Sequence, residues 1–155
     1  MSKISLEQYV GSTIAYILAH AEAGTTPYYG KVPEDFKVPS VFFPVPWTDT
    51  SKALLGSVFT KTVHFECVFL AGDSWTANAC AEHVRDAMVH DRCVLPCLTE
   101  EGKETGYGFH ISTPRIQETD TGSVSMQFTF DHTQEDIVDA GPKITDVSMT
   151  QSGKE

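Results

Sequence analysis

Four groups of residues in this chain have types and spacings that could do chemistry. Ser74 follows Gly72 and Asp73 where an apolar run, Phe65–Leu70, hands over to residues with helical spacing. A serine on such a strand-to-helix turn becomes a nucleophile when a histidine is brought up to take its proton. His90, Cys93 and Cys97, with His83 on the same side of the helix as His90, offer atoms that zinc accepts. Cys97, His110 and Asp131 supply the residue types of a thiol nucleophile with its base and orienting carboxylate. Glu100, Glu101 and Glu104 bring three carboxylates into one short stretch.

Each group has a plainer reading. Gly72-Asp73-Ser74 resembles the nucleophile block of the GDS-type esterases and lipases. Those enzymes carry it near the start of a larger parallel α/β domain, with a Gly-x-Asn-Asp block and a late Asp-x-x-His that this chain lacks. Asp73 or Ser74 then serves as a helix cap after a glycine turn. Cys93 and Cys97 enclose Pro96 in an apolar stretch and have no second cysteine pair to complete a zinc site. Nothing in the spacing brings Cys97, His110 and Asp131 together, and the three glutamates read as solvated loop residues. No phosphate loop or dinucleotide fingerprint is present. The sequence therefore predicts a protein that is not an enzyme and carries no catalytic, cofactor-binding or metal-binding residues and no cofactor.

Elements with clear periodicity frame these groups. Ser5 and Gln8 have the form of a capping box, and Leu6, Tyr9, Val10, Thr13, Ile14, Ile17, Leu18 and Ala21 recur at helical spacing up to Gly24. Thr25–Pro39, with its prolines, reads as an extended loop, and Val41, Phe42, Phe43 and Val45 as a short strand in which Pro44 and Pro46, each removing a ladder donor, favour an edge or strand-end position. Trp47–Gly56 reads as a long connection. In Val58–Leu70, Phe59, Val63, Phe65, Cys67 and Phe69 alternate with Thr60, Thr62, His64 and Glu66, so one face meets a core and the other meets water or a partner.

A second helix follows, with a small-residue stripe of Ala77, Cys80, Ala81, Val84, Ala87 and Met88 that can lie close to a sheet. Cys93–Leu98 is a weak apolar segment. Tyr107, Phe109 and Ile111, then turn residues Glu118–Gly122, then Val124, Met126, Phe128 and Phe130 predict a β-hairpin. The expected fold is α+β: a mainly antiparallel sheet with the N-terminal and central helices packed on one face. Residues 1–132 are expected to form a single domain. Residues 133–155 are expected to form an acidic tail, mobile or ordered only on assembly, in which Ile144, Val147 and Met149 could add a strand to a neighbour.

A chain of 155 residues with 41% apolar and 21% charged residues has the composition of one globular domain. No apolar run reaches the ~18 residues of a membrane span, and Met1–Leu6 lacks the layout of a signal peptide. A soluble, cytosolic product is expected, with reduced cysteines. A net charge of −10 opposes direct DNA binding, which depends on Lys and Arg displacing counterions from phosphate. Tyr28, Tyr29, Phe42, Phe43 and Trp47 crowd into proline-rich territory, either as interface anchors or as a satellite core beneath a loop.

The order of these blocks resembles the tail terminator (tail completion) proteins of long-tailed bacteriophages, in a form seen among phages of Gram-positive hosts. The blocks that carry the resemblance span about residues 5–132. They are the amino-terminal helix, Pro33-Glu34-Asp35-Phe36-Lys37-Val38-Pro39 before a short strand, Leu54-Leu55-Gly56 leading into Thr60–Leu70, the small-residue helix and the closing hairpin. The resemblance implies a virion subunit that forms a homohexameric ring on the head-proximal end of the tail tube, stops tube polymerisation and joins tail to head. Its implied partners are identical copies, the tail tube protein and the head connector or stopper, with DNA passing through the lumen without specific binding. On that reading the interface falls on Trp47, Leu54, Leu55, Val58, Thr60, Thr62, His64 and Glu66. Another connector or tube component of the same tail, or a small esterase using Ser74, are the rival readings.

Overall fold

The structure, a computed structural model, describes residues 5–53 and 58–135, with side chains for 5–49 and 60–132. Leu54 and Leu55, and the strand expected around Ile144, Val147 and Met149, lie outside the described residues. So does the Val58 side chain.

The elements run α1 (Leu6–His20), β1 (Thr26–Tyr29), β2 (Ser40–Phe43), β3 (Trp47–Ala53), β4 (Val58–Leu70), α2 (Ser74–His90), β5 (Val94–Leu98), β6 (Glu104–His110), β7 (Arg115–Asp120) and β8 (Ser123–Glu135). The larger sheet has the order β1-β2-β4-β8-β7, with β3 paired to β4, and β5 and β6 form a second, two-stranded sheet. Strands β1 and β2 pair in parallel, while β2–β4, β5–β6 and β7–β8 are antiparallel. This is the expected α+β class. Among the described residues, one compact unit takes the chain up to Thr48 and from Val63 to Asp131; a second takes Asp49–Thr62 and the chain from His132 onward.

In the first unit the core is built from the apolar side of a period-two pattern. Val63, Phe65, Cys67 and Phe69 of β4 are buried beside Val124, Met126, Phe128 and Phe130 of β8, and the Phe65 and Phe128 rings stack with centroids 5.1 Å apart. Ala77, Ala81, Val84 and Met88 of α2 are fully buried in the same cluster, as the small-residue stripe requires. Helix α1 adds Ile17 and Tyr16, with Tyr9 edge-on to Phe109 at 4.8 Å. At roughly 1.5–3 kcal/mol for each large apolar side chain buried, this shared face is the main source of stability.

The capping box of α1 forms as expected: Gln8 N donates to Ser5 Oγ (3.2 Å) and Ser5 N to Gln8 Oε1 (2.9 Å). The helix ends at His20, short of Gly24, which takes φ +87° in the following turn. Ser12, absent from the expected apolar stripe, is buried because its hydroxyl donates to Gln8 O (2.6 Å) and accepts from Leu98 N (2.8 Å). Gln8 Nε2 donates to Leu98 O at 3.4 Å, so the last residue of β5 is bonded to side chains of α1. Tyr16 donates to Asp91 Oδ2 (2.5 Å), tying α1 to the C-cap of α2; burial and this bond to a carboxylate both push its phenol above the usual tyrosine range.

Several expectations need correction. Thr25–Pro39 is not all loop, since β1 lies within it. Thr26 N donates to Pro39 O and Gly30 N to Phe43 O, so alternate donors of β1 turn toward β2 and the missing donor of Pro27 falls on the outer edge. Of the two positions expected for Pro44 and Pro46, edge or strand end, the second holds: both fall after the end of β2, and the strand itself is interior, between β1 and β4. Trp47–Gly56 is not all connection: β3 occupies Trp47–Ala53, a polar strand without an apolar alternation to announce it.

The expected hairpin also has a different first strand. Leu95 and Phe109 pair on the buried side of β5–β6, which takes Tyr107 and Phe109 into the second sheet, while Ile111, just past β6, bridges Phe130 of β8 as the expected hairpin requires. The partner of β8 is β7, whose residues are exposed apart from half-buried Ile116 and so look like turn chemistry in sequence.

The β7–β8 turn is fixed to the β4–α2 corner. Ala71 N donates to Gly122 O (3.0 Å) and Gly122 N donates to Ser74 Oγ (2.9 Å). Gly122 has φ +79°, and a Cβ there would stand 2.8 Å from the Ala71 carbonyl oxygen, whereas Gly102 at φ +85° faces open space. Gly102→Ala should therefore cost about 1 kcal/mol, the strain of the left-handed region alone. Gly122→Ala should cost clearly more, read as a larger drop in the denaturation midpoint.

Candidate functional site: an open sheet face

The corner that looked nucleophilic is a structural joint. Asp73 is the N-cap of α2, with Oδ1 accepting from Thr76 N and Oδ2 from Thr76 Oγ1, both at 2.9 Å. Those bonds hold its carboxyl below the usual range. Ser74 is the first helical residue, and its hydroxyl is occupied as the acceptor of Gly122 N. Ser74→Ala should lower stability by about 1 kcal/mol, the scale of one intramolecular hydrogen bond, and leave p-nitrophenyl ester turnover unchanged from background.

The thiols and histidines are held apart. Cys97 is 1% exposed and lies on the inward side of β5 with Leu95. His110 pairs with Val94 on the outward side, so the candidate nucleophile and base occupy opposite faces of the small sheet. Cys93 is buried in the turn after α2, at φ +58°, and His90 is exposed. Among the described residues no group of three or more His, Cys, Asp and Glu side chains is placed to share a metal ion. All four cysteines are free thiols; burial, and next the Glu66 charge, push that of Cys67 well up.

Polar and aromatic residues do converge on the face of the large sheet that the helices leave open. Trp47, at the start of β3, lies flat on His64 of β4, with ring centroids 3.6 Å apart and planes 3° apart. Trp47 is 59% exposed, so the indole face away from His64 meets solvent. Two residues along β4, Glu66 Oε2 accepts from Ser125 Oγ (2.6 Å) and Gln127 Nε2 (3.3 Å) of β8. Gln127 Nε2 also reaches Ser125 Oγ at 3.2 Å. Ser125 is fully buried, so its hydroxyl is a fixed donor.

Arg115 of β7 pairs in register with Gln127 and extends the row across the sheet, exposed and with no ion pair among the described residues. Together Trp47, His64, Glu66, Arg115 and Gln127 line a groove of about 280 Å³. Of the residues expected at an interface, Trp47, His64 and Glu66 are thus brought together. Thr60 and Thr62 are half-buried residues of the second unit. Ser125, Gln127 and Arg115 were missed, although the alternation Ser123, Ser125, Gln127, Thr129 is the same two-faced signal that marked β4.

The aromatic cluster divides between its two readings. Phe43 is core, stacked with Tyr29 at 5.7 Å and near Phe65 at 6.3 Å, while the Tyr28 hydroxyl accepts from Lys37 N. Trp47 and Tyr29 remain substantially exposed.

What the fold and this face define is an α+β protein in whose first unit helices cover one side of the sheet and described residues of the other side, Trp47 and Arg115 among them, meet solvent. The chain is 30% identical over 120 residues to the phage-like element PBSX protein XkdJ of Bacillus subtilis (strain 168), a match covering 75% of this chain and 77% of that protein. It is 27% identical over 107 residues to the uncharacterized protein YqbJ of the same strain, covering 69% and 72%. No family model matches the sequence. The chain belongs to the family of XkdJ and is therefore related to a phage-element protein. Among the described residues no helix is long and apolar enough to cross a membrane.

Glu66 and Ser125 should be coupled energetically. Glu66→Ala leaves a buried hydroxyl without its acceptor and should cost about 1–3 kcal/mol. Adding Ser125→Ala should recover part of that loss, measured as a non-additive double-mutant cycle in urea denaturation.

Proposed function

We propose that this chain is a structural virion protein, a tail terminator that forms a ring, a homohexamer, on the head-proximal end of a phage tail tube. The observation that carries the reading is kinship with a phage-element protein across three quarters of the chain. A sheet with one closed face and one open, polar-aromatic face supports it, since such a face suits burial against copies of the same chain. In this reading Trp47, Thr60, Thr62, His64 and Glu66, with Leu54, Leu55 and Val58, lie on surfaces buried against neighbouring copies and adjoining virion parts.

Capping follows from the geometry of a ring with unlike faces. One face takes the place of the next tube layer, and the other lacks the surface on which a further layer would add. It presents instead a joint for the head connector or stopper. The net charge of −10 raises the cost of DNA phosphates lingering at the lumen wall, so the genome passes without specific binding. No step requires a nucleophile or cofactor, in keeping with Ser74 being bound into the Gly122 turn.

Electron microscopy of tails assembled without this product tests the reading. Overlong tubes are the expected result. Absent tubes would make the chain a tube component, and tubes of normal length that fail only to join heads would make it another connector.

A further inference from the structure

The groove on the open sheet face has a chemistry of its own, independent of the assembly the chain joins. Ser125 and Gln127 both donate to Oε2 of Glu66, and Oε1 makes no hydrogen bond among the described residues. Glu66 likewise has no cationic partner among them. The carboxylate is therefore oriented by a fully buried hydroxyl, with one oxygen tied down and the other available. Beside it the indole of Trp47 is held flat by His64 on one side and open on the other.

A planar cation satisfies both features at once. A guanidinium stacks on an indole face through its charge and its plane, and donates N–H groups to a carboxylate oxygen in the same plane. An ammonium has the charge without the plane and gains less from such a pair. The chain's net charge of −10 draws a basic partner toward the protein as a whole, and Glu66 supplies the groove's own carboxylate.

We propose that the Trp47–Glu66 groove is a receptor for an arginine side chain carried by a basic segment of a partner protein. Arg115, across Gln127 in the same groove, is a like charge that opposes the incoming arginine and limits its affinity.

The test uses the full chain and the probe peptides acetyl-tetra-arginine-amide, tetra-lysine and tetra-glutamate, titrated by calorimetry. Trp47 fluorescence is followed in parallel in Trp75→Phe, which removes the other tryptophan at an 85% exposed position. Tetra-arginine should bind more tightly than tetra-lysine and perturb Trp47, and tetra-glutamate should not bind. Glu66→Gln, which keeps an acceptor for Ser125, and Trp47→Ala should each weaken tetra-arginine binding by about tenfold. Glu101→Gln, the same charge change in the β5–β6 turn, should leave it unchanged, and Arg115→Gln should tighten it.

Three results would overturn the proposal. One is no heat from tetra-arginine with the unaltered chain. Another is equal weakening by Glu66→Gln and Glu101→Gln, which would mean diffuse attraction to an acidic protein. The third is self-association abolished by Arg115→Gln in sedimentation equilibrium, which would make the occupant a second copy's arginine.

Discussion

The contact between Phe65 and Phe128 across β4 and β8 fixes which way every residue of the central strand pair points, and most other features of the molecule follow from that choice. With Val63, Cys67 and Phe69 on one side of β4 and Val124, Met126 and Phe130 on the same side of β8, the pleat commits the intervening residues to the opposite side. A slip of one residue would expose the phenylalanines and bury Glu66. The apolar face thus sets both the seat of the helices and the placement of His64, Glu66, Ser125 and Gln127.

The small residues of α2 complete this arrangement. Ala77 and Ala81 present little volume, so the helix lies close to the sheet, and the corner leading into it is short. That corner carries three jobs in three residues: Gly72 turns the chain, Asp73 caps the helix, and Ser74 receives the β7–β8 turn. A motif that mimics a hydrolase is accounted for by the requirements of a tight strand-to-helix connection.

The elements legible in sequence were those whose apolar residues obey one period over several repeats: α1, α2, β4 and β8. The elements that escaped are short or polar. In β1 a proline suggested a loop, yet its missing donor faces outward. In β3 and β7 the strand is held by its neighbour's backbone, and the side chains read as turn chemistry. Pairing was harder still, because Tyr107, Phe109 and Ile111 alternate equally well for either sheet, and the chain divides them: Phe109 pairs with Leu95, and Ile111 bridges Phe130. Of the open face, the half on β4 was visible. The half on β8 needed the register between the two strands, which residue spacing does not contain.

The side chains of α1 lying along β5 bear on how the protein survives at high concentration. A two-stranded sheet has two bare edges, each a template for a foreign strand. At Leu98 the backbone donor and acceptor are both engaged, by Ser12 and Gln8. A helix thereby acts as a gatekeeper at that end of the edge, taking up the backbone groups of Leu98 that a foreign strand would otherwise pair with in a crowded pool of newly made copies.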